Sequence, residues 1–222
     1  MLNMLFGNEI LASLDSLTAE MDLLKHPFYR EWTEGKLPVE RLRNYAVQYY
    51  HHVAAFPRYL SGIHTSCEDL LTRQALLENL IDEERGGENH PELWLRFAEA
   101  LGVTREMVLD SEPLPATRAL VDTFIDLTKY QPLVAGLAAL YVYESQTPAV
   151  TGAKIDGLRR FYGITSEHGL RFFSVHREAD PHHAWIVGQM VRHYTRRVED
   201  QRLALAAGRR ALEAVWSMLD AV

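Results

Sequence analysis

One cysteine, Cys67, stands among 222 residues. A lone thiol excludes an internal disulfide, and the absence of paired cysteines excludes the thiolate sites of structural zinc. Basic charge is also short: 23 Lys and Arg face 30 Asp and Glu, for a formal charge of −7. The two signs are interspersed, so there is no basic footprint for nucleic acid or for an anionic membrane surface. No apolar run approaches the ~20 residues that span a bilayer. The nearest to it, Pro132 to Val142, is expected as a buried helix. The stretch MLNMLFGNEILASLDSLTAEMD lacks a basic n-region and gains acidic residues straight after its short apolar part, unlike a secretory signal. A cytoplasmic protein is expected. Repeats, low-complexity tracts and sustained period-two alternation are missing too, which leaves no argument for a sheet.

What is present is helical periodicity. Leu11, Leu14, Leu17, Met21 and Leu24 recur at helical intervals and predict a first helix over about residues 8–23. His26-Pro27 starts a short segment that Gly35 closes, and Pro38 opens a long aromatic-rich helix that Pro57 is expected to kink. Within it, Tyr45, Tyr49, Tyr50, His51 and His52 read first as core aromatics and second as a pocket lining. Residues 68–85 predict a helix ended by Gly86-Gly87. Further helices follow from His90, from Pro115 to about Tyr130, from Pro132, across GAKIDGLRRFYG, from Ser166 and from Val198. The length suits one domain spanning residues 1–222. The expected class is all-α, with seven or eight helices and short connections.

The segment FFSVHREADPHHAWIV carries the chemistry. Steps of four and seven residues return to nearly the same helix face, so His176, Asp180 and His183 fall within an arc of about 60°. The two histidines lie about 10 Å apart along such a helix, a span that suits two ions ~4 Å apart better than one. Imidazole with carboxylate is a mixture taken by iron, manganese and zinc. Pro181 makes the ideal angles approximate, because it removes a backbone donor and restricts Asp180. Glu144 lies in the most apolar helix of the chain, where a lone ionised carboxylate costs several kcal/mol unless paired or bound to metal. The acidic cluster Asp82, Glu83, Glu84 precedes the Gly-Gly break and His90 follows it. Spacing does not choose among the three acids. The ferritin arrangement of two Glu-x-x-His pairs is absent, which points to another helical dimetal scaffold.

HPFYREW, Glu83 with His90, YVYESQTPAV with Lys154, FYG and the His176, Asp180, His183 triplet together resemble the haem-oxygenase-like dimetal oxidases. Among these the chain is most similar to the group containing the chlamydial protein associating with death domains and bacterial relatives that make para-aminobenzoate. The similarity runs from about His26 to the last helix. It implies a haem-oxygenase-like bundle and six ligands, Glu83, His90, Glu144, His176, Asp180 and His183, for two transition metals, iron with iron or iron with manganese. It further implies dioxygen and an external electron donor, and admits a homodimer. Relatives of this type cut the aminobenzoate ring from one of their own tyrosines and take its nitrogen from their own lysine. Carried over, Tyr29 is the ring donor, Lys154 the nitrogen donor, and Tyr45 and Tyr143 are relays. Similarity to pyrroloquinoline quinone biosynthesis protein C, which works without metal, is looser. So is that to thiaminase II, whose nucleophilic cysteine Cys67 does not match in position. Two further readings are a dimetal oxidase with an external substrate, such as a fatty acid or amino-acid derivative, and a protein-interaction module. A long apolar cavity beside the metals would favour the former. For the latter the sequence offers no exposed apolar helix face separable from core, and a tight partner whose binding survives loss of all the metal ligands would favour it.

Overall fold

In the computed structural model the backbone is described for residues 2–222, and side chains for all but residues 1–8 and 178–181. The helices are α1 (Leu2–Glu20), α2 (Pro27–Thr33), α3 (Val39–Ser66), α4 (Leu70–Glu84), α5 (His90–Ala100), α6 (Arg105–Leu109), α7 (Pro115–Ile125), α8 (Leu133–Glu144), α9 (Thr147–Phe161), α10 (Glu167–Tyr194) and α11 (Val198–Ala221). No strand occurs among the described residues. The short α2 and α6, and the break between α8 and α9, take the number of segments above the seven or eight expected. α1 begins at Leu2 and ends at Glu20, both earlier than the periodicity predicts.

Local chemistry explains most of the boundaries. Asp69, Asn89, Thr104 and Ser166 cap α4, α5, α6 and α10 by accepting from backbone N–H groups of the first turn. His26 caps α2 in the same way through Nδ1, while its Nε2 reaches Asp220 of the last helix at 3.1 Å. Gly86 takes a left-handed φ of +77° directly after α4, which turns the chain sharply into α5. α3 runs without interruption past Pro57, and α10 past Pro181. α7 continues into a single π-helical turn, Asp126–Tyr130, where a simple helical continuation is expected. There Gly62 and Gly136 let α3 and α8 close on the backbone of Thr128: a Cβ at either glycine would lie 3.1 Å from a Thr128 backbone atom.

α8 is buried nearly all round and is the axis of the fold, with α10 and α11 packed along it. One buried cluster, running from Ile10 to Val222, joins all the long helices except the outward side of α4. That side presents Leu70, Leu71 and Leu77 to solvent. The helix expected over residues 68–85 thus carries an exposed apolar face. None of the described helices is long and apolar enough to cross a membrane. Around α8, the end of α4, the start of α5 and the middle of α10 converge on the carboxylate of Glu144.

Candidate metal centre

Three ligand atoms, from Glu83, His90 and His176, lie within 4.8 Å of one another. Each is delivered by a separate element. Glu83 sits in the last turn of α4 and His90 opens α5, so the left-handed turn at Gly86 sets both beside one point. His176 comes in from α10. Its Nδ1 donates to the carbonyl of Phe172, one turn back, at 2.7 Å. That bond fixes the tautomer and leaves Nε2 as the atom with a free lone pair, the arrangement common to metal-binding imidazoles. Burial, reinforced by the neighbouring His90, holds His176 well below its ordinary pKa, so the ring is neutral.

The contact between Glu83 and His90 is informative. Their Oε2 and Nδ1 atoms stand 2.7 Å apart, yet the approach lacks hydrogen-bond alignment and leaves Nδ1 without a partner among the described residues. Close approach without a hydrogen bond is what two donors to one ion would show. Glu144 is 4 % exposed. Its Oε1 accepts from Asn79 Nδ2 at 3.2 Å, while Oε2 has no partner. Unpartnered buried polar atoms cost about 1–3 kcal/mol each. The donor set therefore fits a cation of the hard-to-borderline class.

Without a cation Glu144 is pushed up to about 8, chiefly by burial, with Asn79 opposing and Glu83 adding to the shift. The unfolded chain releases this proton near pH ~4.3. Between those values the folded state holds more protons at Glu144, so the contribution of this one carboxyl to the stability of metal-free protein falls by ~1.4 kcal/mol per unit as pH rises from about 4 to 8, against the opposite contributions of the buried His176, His52 and Lys154. Urea unfolding with chelator present, at pH 5 and at pH 8, is expected to show Glu144→Gln gaining stability relative to the parent as pH rises, since the other groups titrate alike in both proteins.

His183 is half-buried and points its Nε2 at Asp82 Oδ2, 3.3 Å away. Asp82, the neighbour of Glu83 in the acidic cluster, was not a residue the sequence singled out by itself. The side chain of Asp180 lies outside the described residues. Asn79 also escaped the sequence reading. The available signal was its position four residues before Glu83, on the same face of α4.

Beside this cluster lie Tyr29, Tyr45 and Lys154. Lys154 is 4 % exposed, in α9, and donates from Nζ to Tyr45 Oη at 2.9 Å. Tyr29 Oη meets the same Tyr45 Oη at 3.2 Å, and Nζ stands 5.2 Å from the centre of the Tyr29 ring. Burial alone lowers Lys154 to about 7. α2 can approach α9 this closely because of Gly157, where a Cβ would lie 2.5 Å from Trp32 Cδ1. Trp32 Nε1 then donates to the Lys154 carbonyl at 3.3 Å, fixing the lysine beneath Tyr29. Tyr143 lies on the far side. Its hydroxyl is 2.6 Å from that of Tyr49, whose ring is 5.0 Å from Tyr45. Tyr49 thus completes a file of phenols from Tyr29 to Tyr143.

Two small cavities of about 20 Å3 each occupy the site. One is bounded by Glu83, Tyr143, Glu144 and His176, the other by Tyr29, Tyr143, Lys154 and His176. Tyr143 and His176 wall both, so the phenol–lysine pair and the carboxylate–imidazole cluster are neighbours.

A family model for iron-containing redox enzymes matches residues 43–216. The chain belongs to this family. As a member it is an oxidoreductase, and the carboxylate–imidazole cluster lies within the matched region. It is 43 % identical over 224 residues to a 4-aminobenzoate synthase of Nitrosomonas europaea, covering 97 % of this chain and 91 % of that protein. To the 4-aminobenzoate synthase of Chlamydia muridarum it is 41 % identical over 210 residues, covering 95 % of this chain and 88 % of that protein. A CADD-like protein of Nostoc punctiforme superposes with a TM-score of 0.79 at 19 % identity, covering 98 % of this chain and 96 % of the other. At that identity the likeness carries the fold alone, which is the expected haem-oxygenase-like all-α bundle.

Proposed function

We propose that this family member makes para-aminobenzoate, using Tyr29 as source of the ring and Lys154 as source of the nitrogen. The observation that carries the reading is the burial of Lys154 against the Tyr29 ring, sharing Tyr45 Oη as hydrogen-bond partner, one wall away from the cluster. Similarity to relatives named 4-aminobenzoate synthase supports the product.

Glu83, His90 and His176, with Glu144, Asp180 and His183 completing the set, would hold two transition metals, iron with iron or iron with manganese. Bound there and reduced by an external electron donor, they supply activation of dioxygen, the oxidising power that attack on a phenol requires. The chain's own residues do the rest. A lysine is a nucleophile only when neutral, and burial among the rings of Tyr29, Tyr45, Tyr49 and Phe173 lowers Lys154 to about 7, so that a substantial share of it is neutral near pH 7. In para-aminobenzoate the nitrogen stands opposite the carboxyl carbon, as the tyrosine hydroxyl stands opposite Cβ. Nζ must therefore reach the hydroxyl-bearing carbon, and the bond to Tyr45 Oη holds it toward that end. Tyr45 also offers the proton route between the two groups, while the enclosing rings keep out water.

The small cavities argue against an external substrate. A space of about 20 Å3 admits little more than a water-sized guest, and no ring or chain.

The ligand assignment is tested by elemental analysis of protein from metal-replete cells. Up to two equivalents are expected in the parent, and loss of most of them in His176→Ala and in Asp180→Ala. Full metal content in both variants overturns the assignment.

A further inference from the structure

His52 is wholly buried and has no part in the reaction just described. It sits in α3 at a crossing of aromatic rings. Its ring centre is 5.1 Å from Tyr143, 5.1 Å from Phe124, 5.3 Å from Tyr49 and 5.5 Å from Tyr59. Its Nδ1 is 3.2 Å from Tyr59 Oη, and its Nε2 has no partner among the described residues. Those contacts decide the direction of the bond. If Nδ1 carried the proton, both Nε2 and the buried Tyr59 O–H would lack a partner. If Tyr59 donates, only the Nε2–H does. The second arrangement leaves fewer unsatisfied groups, so the phenol donates and imidazole Nδ1 accepts.

From this geometry we propose that Tyr59 is a further redox-active tyrosine, beside Tyr29, Tyr45 and Tyr143, with His52 as the acceptor of its phenolic proton. In the step, Tyr59 gives one electron to a one-electron oxidant and its O–H proton to His52 Nδ1. The O–H bond breaks, an N–H bond forms, the oxidant is reduced by one electron, and a neutral phenoxyl faces an imidazolium. When an electron returns to Tyr59, the proton returns with it. Burial presses His52 down to about 3, with Lys154 adding to the shift. The proton is accordingly held weakly and is available to return with the electron.

The position gives the pair its role. Tyr49 and Tyr143 both border His52, so the file of phenols branches there: through Tyr49 and Tyr45 it leads to Tyr29, and through His52 it leads to Tyr59. Tyr59 is thus a side branch on which an oxidising equivalent rests without consuming Tyr29. This role rests on the proposed function, but the redox activity of the pair does not.

Flash photolysis separates the two. The full chain, both metal-loaded and chelated, is oxidised with photogenerated tris(bipyridine)ruthenium(III) and followed by electron paramagnetic resonance with ring-deuterated tyrosine. A neutral tyrosyl signal is expected in both forms. Tyr59→Phe is expected to remove at least half of it, and His52→Phe to shorten its lifetime at least tenfold, with circular dichroism confirming that both variants fold. His52→Gln, which retains an acceptor of similar size but little basicity, is expected to behave like His52→Phe. An unchanged signal in Tyr59→Phe, or an unchanged lifetime in both His52 variants, overturns the proposal. A chain that makes no para-aminobenzoate but keeps this signal overturns the proposed function and leaves the pair standing.

Discussion

Tyr29→Phe is expected to bind its full complement of metal and to yield no para-aminobenzoate. The phenol lies outside the ligand cluster, and its hydroxyl bonds only Tyr45 among the described residues. Removing one buried hydroxyl from a paired phenol costs about 0.5–1.5 kcal/mol, so the variant is expected to fold. In the parent, iron, reductant and dioxygen are expected to give at most one product per chain, because the protein cannot rebuild a side chain it has consumed. Ring-labelled tyrosine incorporated during expression is expected in the product, and labelled free tyrosine added afterwards is not. Mass spectrometry of both product and spent protein reads the outcome. Many turnovers per chain, or full activity in Tyr29→Phe, would reject the self-derived ring while leaving the metal assignment intact.

Lys154→Met is expected to lose the nitrogen of the product and at the same time to stabilise the protein. Folded Lys154 gives up its proton near pH 7, whereas an unfolded lysine keeps it to about 10.4. Between those values the unfolded chain binds more protons, so stability rises with pH at ~1.4 kcal/mol per unit for this group. At neutral pH the buried amine is therefore a cost of a few kcal/mol, and removing it is expected to raise Tm by roughly 5–10 °C in a chain of this size. The gain should shrink as pH rises toward 10.5. Activity runs in the same direction, since nitrogen transfer in the parent should increase through an apparent pKa of about 7 as the amine becomes neutral. Thermal scans at pH 7 and 9.5, with product analysis across pH 6–8, check both. A destabilised Lys154→Met at pH 7 would show that the amine is not held neutral. Stability lost to a reactive group is the usual trade at functional sites.

Apolar periodicity, capping residues and the Gly-Gly break determined, from sequence alone, that the chain is a helical bundle and roughly where its helices begin. These are local signals, set by backbone geometry within a few residues. The same holds for α8, whose all-round apolarity marks it as central, and for the lone acid Glu144 within it, which marks the site. Helix periodicity alone gave the expectation that His176, Asp180 and His183 share one face of α10. Tertiary structure decided which acid of the cluster turns inward. Asp82, Glu83 and Glu84 are adjacent, and only the left-handed turn at Gly86, meeting α10 across the bundle, puts Glu83 beside His90 and His176 and sends Asp82 to His183. It also decided the environment of Lys154, an ordinary lysine in sequence. Its neutrality comes from rings contributed by α2, α3 and α10, brought together by the close approach at Gly157. Desolvation is a property of everything surrounding a group, and no window of sequence contains it.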